Sequence, residues 1–228
     1  NNTATGHYAL YNNTTGGSNT TMGNKSLFNN TTGTRNTASG HYSGYGNTTG
    51  THNTSYGSQS GQSTSSGTYN TALGNGALIT NTTGSNNTGV GNSATNSSGT
   101  VSNEFTLGNS SVNSLRCQVT TITALSDERD KTDITDLDAG LDFINCLRPV
   151  DFTWNMRDGG KVGIPDVGFI AQELQQAQIT NNKVIPQLIM DENPDKLEAG
   201  YGALLPVMVK AMKELSAKND ALEARLAV

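Results

Sequence analysis

Glycine stands at positions 6, 23, 40, 57, 74 and 91, each 17 residues after the last. A second set at 16, 33, 50, 67 and 84 keeps the same step. Asparagine occupies 2, 19, 36, 53, 70 and 87, and threonine follows each one. Glycine held at a fixed phase marks a repeated backbone demand, most often a turn with φ > 0. The threonine-rich stretches between such turns suit short strands. The array therefore predicts an all-β repeat stalk over residues 1–110, built as a β-solenoid or as an intertwined β-helix. Random Gly/Ser/Asn disorder does not need a phase kept over six repeats. The rhythm breaks near 91–99, where "GNSATNSSG" is two residues short, although Gly108 returns to the first phase.

Large apolar residues are sparse in this array: Tyr8 and Leu10, Met22 and Leu27, Tyr42 and Tyr45, Leu73 and Leu78. Burying one such side chain gives only ~1.5–3 kcal/mol, while ordering each backbone residue costs ~1–2 kcal/mol. The expectation is that several copies share their apolar phases and strand edges, making an obligate oligomer. The "NTT" and "NNT" triplets match glycosylation acceptors. The plainer reading is that Asn and Thr are there for ladders and turns. His7 and His41 share a phase, but no second ligand lies near them in sequence, so no metal site is expected.

Charge places the boundary. Residues 1–125 hold four charged side chains, Lys25, Arg35, Glu104 and Arg116; residues 126–228 hold the other 29, with a net charge of −7. No apolar run approaches ~18 residues, so no membrane insertion is expected. The acidic balance argues against a nucleic-acid partner. Cys117 and Cys146 fit no metal spacing and read as two reduced thiols. The chain starts in mid-pattern, which reads as a piece of something longer.

Beyond the boundary, "DLDAGLDFINCLRP" reads as a short helix with Leu137, Leu141, Ile144 and Leu147 at helical spacing, ended by Pro149. "VDFTWNM" alternates like a strand, "RDGG" turns, "VGFIAQELQQA" reads as a strand entering a helix, and "NKVIPQLIM" as another extended piece. A long helix is expected over about 201–227. Its Leu205, Met208, Met212, Leu215, Asn219, Leu222 and Leu226 step by 3 and 4, the a/d seam of a coiled coil. Such a stripe either packs on its own domain or joins identical chains in parallel. Asn219 inside it costs stability but fixes register, which suits the second reading.

At the boundary stands "ALSDERDKTDI", residues 124–134. A serine and a lysine can act as nucleophile and general base if the amine loses its proton. That requires desolvation or a nearby cation to depress the lysine pKa from ~10.4. Asp127, Glu128 and Asp130 would oppose it; Arg129 would offset part of that. A capping serine followed by a charged first turn is the bland alternative.

"LSDERDKTDI" resembles the S-D-x-R-x-K-x-x-I signature that opens the self-cleaving intramolecular chaperone domain of phage tailspikes, tail fibres and endosialidases. "LRPVDFTW", "VGFIAQEL" and "GYGALLPVMVKAMKEL" follow in that family's order, so the resemblance covers about residues 124–228. It implies an α+β chaperone domain over 127–228, after a linker 111–126 that ends at the cleavage site. It implies a homotrimer that aligns the stalk and is then cut off by its own Ser-Lys dyad. By motif position Ser126 is the nucleophile and Lys131 the base, with Arg129 positioning the loop. The cut falls beside Ser126, and Ser126–Asp127 is the favoured bond. The same resemblance implies a virion fibre assembled in the host cytoplasm, with no cofactor and no activity on outside substrates. A host surface receptor or glycan would be the further partner. The alternatives are a receptor-binding fibre whose trimerisation cap stays attached, and a cellular adhesin that uses the same module.

Overall fold

The computed structural model describes residues 1–118, 124 and 126–227. The expected linker 111–126 lies partly outside them. The chain divides into two compact units. One is formed by Asn1–Ser114 together with the short turn Met156–Lys161; the other by Leu115–Asn155 and Val162–Val228.

Of the two stacked architectures, the repeats form the β-solenoid. Seven three-residue strands, β1 (Thr3–Thr5), β2 (Thr20–Met22), β3 (Thr37–Ser39), β4 (Thr54–Tyr56), β5 (Thr71–Leu73), β6 (Thr88–Val90) and β7 (Phe105–Leu107), make one parallel sheet in chain order. Each residue pairs with the one 17 positions on, as in Thr20↔Thr37 and Thr88↔Phe105. One coil of one chain thus hydrogen-bonds to the next coil of the same chain.

The first glycine set has the conformation expected of it. Gly6, Gly23, Gly40, Gly57, Gly74 and Gly91 have φ between 120° and 137°, where a side chain is strongly disfavoured. The second set does not turn the chain. It permits close approach: a Cβ on Gly50 would sit 2.5 Å from the carbonyl oxygen of Gly67 in the next coil. The left-handed turns at other phases fall mostly on residues with side chains, such as Tyr8, Lys25 and Tyr42, or Ser18, Arg35 and His52.

The break near 91–99 is not a break in the backbone. Gly99 holds the threonine place: its carbonyl accepts the Thr82 N–H at 2.7 Å, as Thr31 accepts that of Thr14. Val101 holds the glycine place, since a Cβ on Gly84 would collide with its carbonyl. The 17-residue step therefore continues to β7.

The interior also differs from the expectation. Tyr8, Met22 and Leu73 are exposed, whereas Leu27 and Leu78 are buried. The rest of the core is small or polar: Ala38, Ala72 and Ala77 with Asn, Ser and Thr. The asparagines explain how a polar core holds. Asn36 donates through Nδ2 to the Gly50 carbonyl at 2.8 Å, and its Oδ1 accepts the Asn53 N–H at 2.9 Å. The same pair of bonds recurs at Asn19, Asn53 and Asn70. Each amide uses both ends, so its burial leaves nothing unpaired. Asn19, Asn30, Asn47 and Asn81 of the acceptor-like triplets are buried within these ladders.

The C-terminal unit is built on α1 (Leu141–Asn145), a hairpin of β8 (Val150–Asn155) and β9 (Val162–Gly168), α2 (Ala171–Thr180), a small pair of β10 (Ile189–Met190) and β11 (Glu198–Ala199), and α3 (Leu204–Leu226). α1 is shorter than its apolar spacing predicts, and Leu137 lies outside it, exposed. "NKVIPQLIM" is strand only at its last two residues, because Ile185 and Leu188 turn inward. They join Ala139, Phe143, Leu174, Ala177, Leu204 and Val207 in one core. Glu214 of α3 reaches back to the start of α1, where its Oε2 accepts the Leu141 N–H at 2.7 Å. A side chain on Gly140 would run into that carboxylate. The orphan donors of a helix N-terminus favour such an anion.

α3 carries two stripes. Leu204, Val207 and Ala211 are buried on their own domain. The heptad seam points elsewhere: Leu205 is 66% exposed, Met212 68% and Leu222 54%. The seam is therefore not what packs this helix on its own unit.

Candidate functional site

Asp127 starts the local structure at the boundary. It caps a single 3-10 turn, Glu128–Asp130, and its side chain accepts the Arg129 backbone N–H at 2.9 Å. The Arg129 side chain folds back onto the same carboxylate, Nε at 3.0 Å and Nη2 at 2.6 Å. That grip holds the Asp127 carboxyl below the ordinary carboxylate range and raises the Arg129 guanidinium. The turn closes when the Lys131 N–H bonds the Glu128 carbonyl at 3.1 Å. One tight turn thus separates Ser126 from Lys131 and brings their side chains together.

Lys131 Nζ lies 2.7 Å from Ser126 Oγ and 3.2 Å from the Ser126 carbonyl oxygen. The first distance is that of a nucleophile and its base. The second places a donor on the carbonyl of the Ser126–Asp127 bond. Of the three carboxylates that sequence reasoning set against the lysine, Asp127 is engaged by Arg129. Ser126 and Lys131 are both exposed.

The histidines sit in ladders on the stalk. His7 Nδ1 is 3.3 Å from Asn24 Nδ2, and His52 stacks on Tyr69 with Arg35 Nη1 3.2 Å from its Nε2. Among the described residues no cluster of three or more His, Cys, Asp and Glu could hold a metal ion. Cys117 and Cys146 are free and exposed. No helix among the described residues is long and apolar enough to cross a membrane.

Sequence reasoning paired Ser126 with Lys131 and gave Arg129 a positioning role, but it did not see the Arg129–Asp127 clasp. The signal was an Asp and an Arg two residues apart, and it is legible only once a 3-10 turn is known to lie between them. It also missed Glu214, whose partner is 73 residues away in sequence.

These features define a β-solenoid stalk joined to a small α+β domain, with a compact Ser-Lys turn at the junction and a C-terminal helix bearing an exposed heptad seam. Residues 126–186 match the family model described as chaperone of endosialidase, which also carries the name of a peptidase family. The match opens at Ser126 and includes Asp127, Arg129 and Lys131. No curated protein and no solved structure shows a significant match to the chain.

Proposed function

We propose that this chain is the C-terminal part of a viral tail fibre or tailspike whose last domain trimerises, guides the folding of the solenoid stalk and then severs itself once. Ser126 is the nucleophile, Lys131 its general base, and Arg129 the positioning residue that shapes the turn through Asp127. The observation that carries this reading is the 2.7 Å contact between Lys131 Nζ and Ser126 Oγ, placed where the family match begins.

In that reaction the neutral amine takes the Oγ proton and the oxygen attacks the scissile carbonyl carbon. The resulting ammonium returns the proton to the leaving nitrogen, and water hydrolyses the ester. The contact to the Ser126 carbonyl supports Ser126–Asp127 as the bond cut. An exposed lysine lacks the desolvation that frees its lone pair. Packing of neighbouring chains around the turn would supply it, so the cut follows assembly. The exposed a/d seam of α3 supports parallel self-association. After release the stalk remains as a kinetically trapped product in the virion, free to meet a host surface receptor or glycan.

Expression of the full chain should yield a fragment that begins at Asp127. Ser126→Ala and Lys131→Ala should each leave one intact band. A fragment unchanged in both variants removes the dyad; one that begins at Ser126 moves the cut to the other side.

A further inference from the structure

The stalk has an uncapped face. In each strand the middle residue points inward and the first and third point out: in β2 Thr21 is buried while Thr20 and Met22 are exposed. Because every strand pairs in direct parallel register, the third residues form one straight column. That column contains Met22, Tyr56, Leu73, Val90 and Leu107, with Phe105 heading the neighbouring threonine column. Tyr56 is 57% exposed, Phe105 64% and Leu107 50%. No strand contains a charged residue; Lys25, Arg35 and Glu104 all lie outside the seven strands. Large apolar side chains in an unbroken outward row mark a surface that something covers.

We infer that this sheet face is where the solenoids of neighbouring copies of the chain meet, side by side and parallel. The inference rests on the self-association proposed above and adds the place of contact within the stalk. Three features select a second copy over another protein. The uncharged face offers nothing for an oppositely charged partner to read. Its column repeats at the coil spacing, so an identical parallel neighbour presents a matching column. Its area decides the rest. Seven strands ~4.8 Å apart and three residues wide give a strip of about 29 by 10 Å, about 300 Å². A free partner needs ~800 Å² on its side. A strip this small docks only chains already tethered beside each other, at the high effective concentration that a joined C-terminal seam provides.

The test uses the full chain with Ser126→Ala, so that the tail stays attached, and with Cys117→Ser and Cys146→Ser. Single cysteines are then placed at Leu73, on the column, or at Thr83, an exposed site of the stalk outside the strands. Native mass spectrometry reports the oligomer, and a short bismaleimide reports proximity. The expected result is an oligomer in both, with Leu73→Cys coupling chain to chain at least about fivefold more than Thr83→Cys, as tethered neighbours require. An oligomer in which Thr83→Cys couples as well or better overturns the face while leaving self-association standing. A monomer in both variants overturns self-association, and the face with it.

Discussion

Thr64→Asn should stabilise the stalk. The second asparagine ladder runs through Asn13, Asn30 and Asn47: Asn30 Nδ2 donates to Asn13 Oδ1 at 2.8 Å, and Asn47 Nδ2 to Asn30 Oδ1 at 2.7 Å. The next rung is Thr64, buried, with no amide to offer. Asn47 Oδ1 is consequently the one buried side-chain oxygen or nitrogen among the described residues without a hydrogen-bond partner. Above it, Asn81 Nδ2 reaches only the Thr64 hydroxyl, at 3.4 Å. An amide at this rung would donate to Asn47 Oδ1 and to the Gly67 carbonyl, as Asn47 itself donates to Gly50 at 3.1 Å. Its own oxygen would receive Asn81.

An unsatisfied buried acceptor costs ~1–3 kcal/mol, and a made bond contributes ~0.5–1.5 kcal/mol net. The extra side-chain entropy of asparagine offsets up to roughly 1 kcal/mol. The expected gain is about 1–2 kcal/mol per chain, an upward shift of about 0.5 M in a urea midpoint at ordinary slopes. The measurement is urea unfolding of the Ser126→Ala chain with and without Thr64→Asn, followed by circular dichroism, together with amide exchange in the coils around residues 47–67. An unchanged or lowered midpoint would refute the view that amide continuity, rather than apolar burial, holds this core together.

The two glycine roles separate by substitution. Gly50→Ala forces a Cβ onto the Gly67 carbonyl and should lower stability by about 1–3 kcal/mol. Gly17→Ala, with nothing near its Cβ, should stay within ~0.5 kcal/mol; comparable thermal midpoints for the two would contradict the close-approach argument. Glu214 has its carboxyl pKa lowered, first by the Leu141 N–H and then by Lys210. A lowered folded-state pKa means stability that is present above the unfolded carboxyl value of ~4.3 and lost as pH falls through the folded one. Helix content of the C-terminal unit should therefore fall on that acid limb, and Glu214→Gln should flatten it; an identical acid limb in the variant would show that the carboxylate does not anchor α1.

Which features the sequence discloses follows from what each one needs. The left-handed glycines were legible because only one residue type tolerates φ near 130°. The strand phase was legible because threonine recurs beside each ladder asparagine. The apparent break at 91–99 misled because it was read from glycine identity rather than from position. Gly84 must be small to pass under the Val101 carbonyl, and Val101 stands at the last described rung, where a side chain is tolerated. The core was misjudged because Leu, Met and Tyr were taken as its material. Amides that use both ends bury at little cost, which freed several of the large residues to face out. At the boundary the Ser126–Lys131 pairing was legible from spacing and motif. The Asp127–Arg129 clasp and the Glu214 anchor were not, since each depends on backbone that only the folded chain sets.

A single-chain solenoid changes what a terminal clamp has to do. In an intertwined helix, strand partners come from different chains and a slip of 17 residues keeps most pairings. Here each strand's partner is fixed by the chain that leads into it, as in Thr37↔Thr54 and Thr54↔Thr71. Coil register is therefore local, and the repeats need no partner to choose it. What stays undetermined is how far one solenoid has slid along its neighbour, in steps of one coil of ~4.8 Å. Nearly alike coils hardly penalise such a slide; the outward column, which alternates Met22, Ser39, Tyr56 and Leu73, penalises it only weakly. A chain cut back to residues 1–118 should on this view keep its β circular dichroism and its cooperative unfolding, yet give staggered or heterogeneous oligomers by native mass and light scattering. An unfolded product would show that the coils depend on the tail for their own closure. Uniform oligomers at normal yield would show that the stalk sets its own alignment and that the tail serves some other end.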